Sequence, residues 1–202
     1  MIQSKEDLRL YIREDKKRNL GAYKMGLMKY LAHWIVGTDG MKAFRLLRAL
    51  RHKEYAKNVL CKRGIIGKLV FAFRSWQYHR LEVRYNIAIG TNMIGYGFKI
   101  PHVVGGGRII NCNAMGNYCS ANVGVVVGNN HNWDDRPIIG DHVALTMGCK
   151  VYGGIRIGNH VTVAPNSVVI KDVPENCVVS GVPAKIIKLD GKKVDDRFIV
   201  MS

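Results

Sequence analysis

Residues Ile139–Pro174 read IGDHVALTMGCKVYGGIRIGNHVTVAPNSVVIKDVP, and their spacing decides the fold. Ile139, Leu145, Val151, Ile157, Val163 and Val169 follow one another at intervals of six. A period of 3.6 cannot hold phase at six, and strict alternation would put many more side chains on one face. The phase runs upstream unbroken through Trp133, Val127, Ala121, Met115 and Ile109. Three earlier hexads begin at Ala88, Ile94 and Ile100, offset by three residues around the glycines at 105–107. A small or branched residue returns four positions after many starts, as in Val125, Cys149 and Ser167. Gly or Ala often follows a start directly, as in Gly116, Gly140, Gly158 and Ala164.

A hexad of this kind is a short strand and a turn, with positions one and five inward and a small residue at position two. Three hexads make a triangular coil, and successive coils stack at the strand spacing of about 4.8 Å. Hexapeptide repeats are a signature of a parallel β-helix. One coil cannot bury its own core, so the coils must stack. The fourteen hexads predict between four and five coils. His142 and His160, eighteen residues apart at the same hexad position, are expected to lie one above the other on the outer surface.

The N-terminal part has a different period. Ser4 and Asp7 form a capping-box pattern ahead of EDLRLYIREDKKR, where Leu8, Tyr11 and Ile12 share one face. Gly21 ends that helix, and residues 22–36 hold a second, weaker one. Asp39 is placed to cap a third helix, with Phe44, Leu47, Leu50 and Tyr55 as its apolar stripe. A fourth is expected within residues 67–85. The chain is thus predicted mainly β, a parallel β-helix with an N-terminal α-helical region. The expected units are basic helices over 1–85, a β-helix over 86–174, and an extension over 175–202 that carries GVPAK.

Composition narrows the classes. The 202 residues hold 31 Lys+Arg against 15 Asp+Glu, a net charge of +16. Of this, +13 falls within residues 1–85 and +3 in the remainder. So uneven a charge calls for an anionic partner or a subunit interface. Nucleic acid is not the expected partner, because no recognised binding motif accompanies the dispersed basic residues. Five cysteines without a C-x-x-C pair suggest free thiols rather than a disulfide framework or a zinc ribbon, and no metal site is expected. No run of about 18 apolar residues predicts a membrane span. The charged first residues lack the apolar core of a secretory leader, so a cytoplasmic location is expected.

The hexads, followed by VVIKDVPENCVVSGVPAKIIK at 168–188, resemble the left-handed β-helix acyltransferases. Within them the chain is most similar to the serine acetyltransferase-like branch, which includes O-acetyltransferases of surface-polysaccharide sugars. The resemblance covers about residues 83–188. It implies a left-handed coil, a homotrimer of parallel solenoids, acetyl-CoA as co-substrate in a groove between subunits, and a histidine general base.

The resemblance assigns residues. His102 occupies the place of the family's catalytic histidine, within a frame matched by Ile94-Gly95, Gly97 and Ile100. His131, upstream of RPIIGD, is the second candidate base or a partner to the first. Met147-Gly148 and Pro165 match positions that line the pantetheine arm, with Met147 in place of the usual Ala. Lys171 and Lys185 are the candidates for the nucleotide phosphates. Departures bear on the acceptor. Pro101 replaces the Asp before the catalytic histidine, Asp135-Arg136 replace the Arg-His pair before Pro137, and Ile87 falls where a carboxylate partner of the base is expected. These changes favour a sugar or polysaccharide-precursor hydroxyl over serine, leaving serine O-acetylation in cysteine biosynthesis as the alternative. Asn111, Asn113 and Asp134 are then candidates to orient His102. A reading from another class is a non-catalytic trimer docked on anionic membranes. The alternation of aromatic and basic residues in KLVFAFRSWQYHR suggests a peripheral contact at the inner membrane face.

Overall fold

The computed structural model describes residues 1–21, 26–130, 132 and 134–194. Its N-terminal part holds helices α1 (Lys5–Leu20), α2 (Leu27–Val36), α3 (Asp39–Asn58) and α4 (Ile65–Tyr85). The capping box at Ser4 forms: Asp7 N–H donates to Ser4 Oγ at 3.0 Å, and Ser4 N–H to Asp7 Oδ2 at 3.0 Å. The α3 cap is Thr38, one residue before the expected Asp39. Phe44, Leu47, Leu50 and Tyr55 are buried as one stripe. Part of the second predicted helix falls at residues 22–25, outside the described residues.

The rest of the chain winds into coils whose strands form three ladders. The first ladder is Ile87–Ile89, Arg108–Ile110, Val126–Gly128, Lys150–Tyr152 and Val168–Val169, all parallel. The second is Ala114–Met115, Ile138–Ile139 and Arg156–Ile157, with Ile94 and Val173 bridging to its ends. The third is Ser120–Ala121, Ala144–Leu145, Thr162–Val163 and Cys177–Gly181. Helical residues nevertheless outnumber strand residues, because most strands in the coils are only two or three residues long. Val127, Leu145, Val151 and Val163 point into the core, and the position-five residues Val125, Cys149 and Ser167 are buried with them.

Two hexad starts among the described residues depart from the expected phase. Ile109 is 50% exposed, and Arg108 and Ile110 take the inward positions instead. Ala88 is half-buried while Ile87 and Ile89 face the core. In both coils the inward residue, Ile89 or Ile110, stands five residues and not six before the next one, Ile94 or Met115, so a hexad start projected upstream lands one residue off. The hexad start Trp133 lies outside the described residues. The first ladder at Val127 is followed by the second at Ile139, twelve residues on, so a hexad-length excursion is inserted here. Its length equals one repeat, so the periodicity passes through it unchanged.

The first coil has no coil above it, and its peptide groups would be bare. Side chains of α1 and α3 cover them. Asp15 Oδ1 accepts from Phe98 N–H (3.0 Å), Asn19 Oδ1 from Ile100 N–H (3.1 Å) and Glu54 Oε1 from Asn92 N–H (2.8 Å). Arg51, fully buried, donates to Asp15 at 2.9 Å, to Glu54 at 3.0 Å and to the carbonyls of Ile94 and Gly95. Burial disfavours its cation, but Asp15 and Glu54 outweigh that and hold its pKa above the ordinary value. The helices are therefore the cap that a solenoid needs. At the other end, Cys177–Gly181 pairs antiparallel with Ala184–Leu189, and the hairpin closes the third ladder.

Candidate active site

The prism has three edges, and the predicted site residues distribute unequally among them. At the corner from the third ladder to the first, each coil turns through a residue of positive φ: His102 (50°), Gly124 (72°), Gly148 (68°) and Asn166 (57°). This left-handed backbone suits Gly and Asn. It also recurs on the ring-bearing edge at Tyr118, His142 and His160, so in this fold it marks a turn and not a function. The turns stack by backbone hydrogen bonds: Gly124 N–H to Gly107 O (2.9 Å), Gly148 N–H to Val123 O (2.8 Å) and Asn166 N–H to Met147 O (2.9 Å). Past them, Gly181 N–H donates to Ser167 Oγ at 3.1 Å, and Lys185 pairs in register with Ser180.

His102, Met147-Gly148, Pro165 and Lys185 thus follow one another down a single edge. Five strand spacings separate the first from the last, roughly 24 Å. His102, Met147, Pro165 and Lys185 are all exposed. Gly148 leaves no room beside it: a Cβ there would lie 2.2 Å from Asn166 Oδ1.

Two candidates are placed elsewhere. Lys171 lies in the turn between Val169 and Val173, on the edge joining the first ladder to the second. One chain therefore does not bring Lys171 and Lys185 to a common phosphate. His131 lies outside the described residues; the described stretch 134–136 lies on that same edge. Asn111 and Asn113, considered as supports for His102, brace this segment instead. Asn113 Nδ2 donates to the carbonyls of Asp134 (3.2 Å) and Arg136 (3.1 Å), and Arg136 Nη1 to Asn111 Oδ1 (3.3 Å).

The group that holds the His102 turn is Arg108. Its side chain is buried, its Nη2 donates to His102 O at 2.7 Å and to Pro101 O, and its Nε donates to Ala121 O at 3.1 Å. Its Nη1 is buried without a hydrogen-bond partner among the described residues. Burial pulls its pKa down to about 10, with Asp39 opposing, so the group stays cationic near neutral pH. The signal for it in sequence is slight: an arginine directly after three glycines, beside an apparent core position.

The third edge carries stacked rings. His142 lies on His160 with centroids 4.8 Å apart and planes at 7°, as their spacing predicts, and Tyr118 extends the stack above His142 at 5.2 Å. Among the described residues no group of three side chains is arranged to hold a metal ion. Cys112, Cys119, Cys149 and Cys177 are buried, and burial pushes the first three thiols up to about 12. They are protonated at neutral pH and poor nucleophiles.

A serine acetyltransferase of Synechococcus elongatus is 36% identical over 105 residues, covering 50% of this chain and 42% of its own. The chain is similar to the serine acetyltransferases. One from Buchnera aphidicola (subsp. Schizaphis graminum) is 31% identical over 161 residues, covering 77% of this chain and 58% of its own. The chain thus spans about half the length of these serine acetyltransferases. The solved serine acetyltransferase of Brucella abortus strain S19, in complex with coenzyme A, is 25% identical with a TM-score of 0.66, over 91% of this chain and 68% of that one. No family profile matches the chain.

Proposed function

We propose that the chain transfers the acetyl group of acetyl-CoA to a hydroxyl, with His102 as general base. The observation that carries this reading is the single exposed edge on which His102, Gly148, Pro165 and Lys185 follow one another. An extended thioester laid on that edge has the imidazole at one end and the Lys185 cation at the other. The relatives' name and the coenzyme A complex of a neighbour support the same reading.

An alcohol is a weak nucleophile near neutral pH. The neutral His102 imidazole takes its proton as the oxygen attacks the thioester carbonyl. The C–S bond then breaks, and the departing thiolate takes the proton back from the imidazolium. The N–H groups of Gly105 and Gly106, exposed and without hydrogen bonds among the described residues, are the candidate donors to the developing oxyanion. The protonated core thiols take no part, so transfer is direct. His131 is the candidate partner of the base, supplied across a subunit boundary in the trimer that the resemblance implies.

Serine is the first acceptor to test. The sugar acceptor, favoured on Pro101, Ile87 and Asp135-Arg136, has no support among the relatives named above, and its alternative moves ahead of it. The test is thiol release from acetyl-CoA, followed with serine and with a panel of sugars, the product being weighed by mass spectrometry. Serine-dependent release is expected, and His102→Ala should lower kcat by roughly 10²–10⁴-fold. Near-full activity of that variant would remove His102 from the role. Release that depends on a sugar and not on serine would overturn the acceptor.

A further inference from the structure

Helix α4 presents apolar side chains to solvent. Ile66, Leu69, Phe73 and Trp76 are spaced by three, four and three, fall on one face, and are each more than half exposed. Helix α2 also exposes apolar side chains, at Leu27, Leu31 and Trp34. Beside the α4 ridge, between α3 and α4, lies a groove of about 660 Å³ lined by Arg45, Arg48, Arg74, Arg80 and Arg84, together with Trp76. Arginines of the groove touch an aromatic side chain of each ridge. Arg45 lies over the Trp34 ring at 4.7 Å and donates to Trp34 O at 2.8 Å, and Arg80 lies over the Trp76 ring at 5.0 Å. None of the five forms an ion pair with a carboxylate among the described residues.

We propose that this α2–α4 face docks on an anionic phospholipid bilayer. Aromatic and aliphatic side chains would enter the headgroup boundary, and the arginines would meet lipid phosphates. Charge selects this occupant over the two others. A second copy seated on the same face would set five unpaired guanidinium groups against five more. A nucleic acid would answer the charge but leave Ile66 and Leu69 in water. The inference is independent of the acetyl-transfer reading, though the two meet in space. Arg84 also lines the neighbouring cavity of about 420 Å³ beside Val103 and Gly106, next to the His102 turn. Docking therefore brings that turn close to the headgroups.

The test is co-sedimentation of the full chain with vesicles of phosphatidylcholine alone, or of phosphatidylcholine mixed with phosphatidylglycerol, at low and high salt. Binding should be roughly tenfold or more tighter on the mixed vesicles and should weaken with salt. Arg74→Ala and Arg80→Ala should each cost roughly fivefold on the mixed vesicles. Leu69→Ser with Phe73→Ser should weaken binding while leaving the solution mass and the thermal transition in place. Equal binding to both vesicle types, or none, would overturn the proposal. So would a fall in oligomeric mass of the Leu69/Phe73 variant without lipid, which would make the face a contact between copies of the chain.

Discussion

Arg108 holds the consecutive carbonyls of Pro101 and His102, with no carboxylate in hydrogen-bond contact. A buried cation supported only by carbonyls is held at a cost, and breaking such an arrangement frees whatever it fixes. We predict that Arg108→Met lowers kcat while leaving the KM for acetyl-CoA nearly unchanged, and that Arg108→Lys recovers part of the loss. An equal fall in both variants, tracking thermal stability alone, would make Arg108 a packing residue only. The thiols give a second prediction at this scale. With pKa values near 12, Cys112, Cys119 and Cys149 should resist iodoacetamide at pH 8 in the folded chain and react once it is unfolded. Rapid labelling of the native protein would contradict their burial. The turn at His102 was legible in the sequence because its frame of Ile and Gly is local. Arg108 was not, because its role appears only when Ala121, thirteen residues on, closes beneath it.

At the scale of the element, stacking depends on glycines that have no room for a side chain. A Cβ on Gly116 would lie 2.7 Å from Asp141 N, on Gly140 2.9 Å from Asn159 N, and on Gly158 2.6 Å from Glu175 N. These are the position-two residues of the hexad, and the obstacle is backbone of the next coil. Gly158→Ala should therefore cost about 1–3 kcal/mol by overpacking, a fall of roughly 2–12 °C in Tm. An unchanged Tm would mean that the coils separate more easily than the geometry allows. The junction of helices and coil gives the opposite kind of test. Arg51→Met leaves Asp15 and Glu54 buried without their cation, and about 3–5 kcal/mol should be lost. The hexad period made the ladders legible, because side-chain direction follows spacing. It hid the extra hexad between Val127 and Ile139, whose length equals one repeat, and it misplaced Ile109, where the first-ladder residue stands five and not six positions before the next inward one. The cap was also hidden: α1 binds the first coil through buried Asp15 and half-buried Asn19, and hydrophobic patterning does not register polar contacts.

At the scale of the molecule, the two halves divide the work. The basic helices close the first coil with one face and offer arginines and aromatics with another, while the coil carries the candidate site on a single edge. The charge asymmetry was plain in the sequence, but its division between cap and free surface needed the fold. The trimer implied by the resemblance predicts a solution mass near three times the 22.6 kDa chain by light scattering. A monomer would leave His102 without the neighbouring subunit that the proposal requires. The most direct measurement is a crystal structure of the chain with coenzyme A. The pantetheine arm should run past Gly148 and Pro165 with its sulfur at the His102 turn. Coenzyme A bound along the Tyr118–His142–His160 edge, or anywhere remote from His102, would contradict the account.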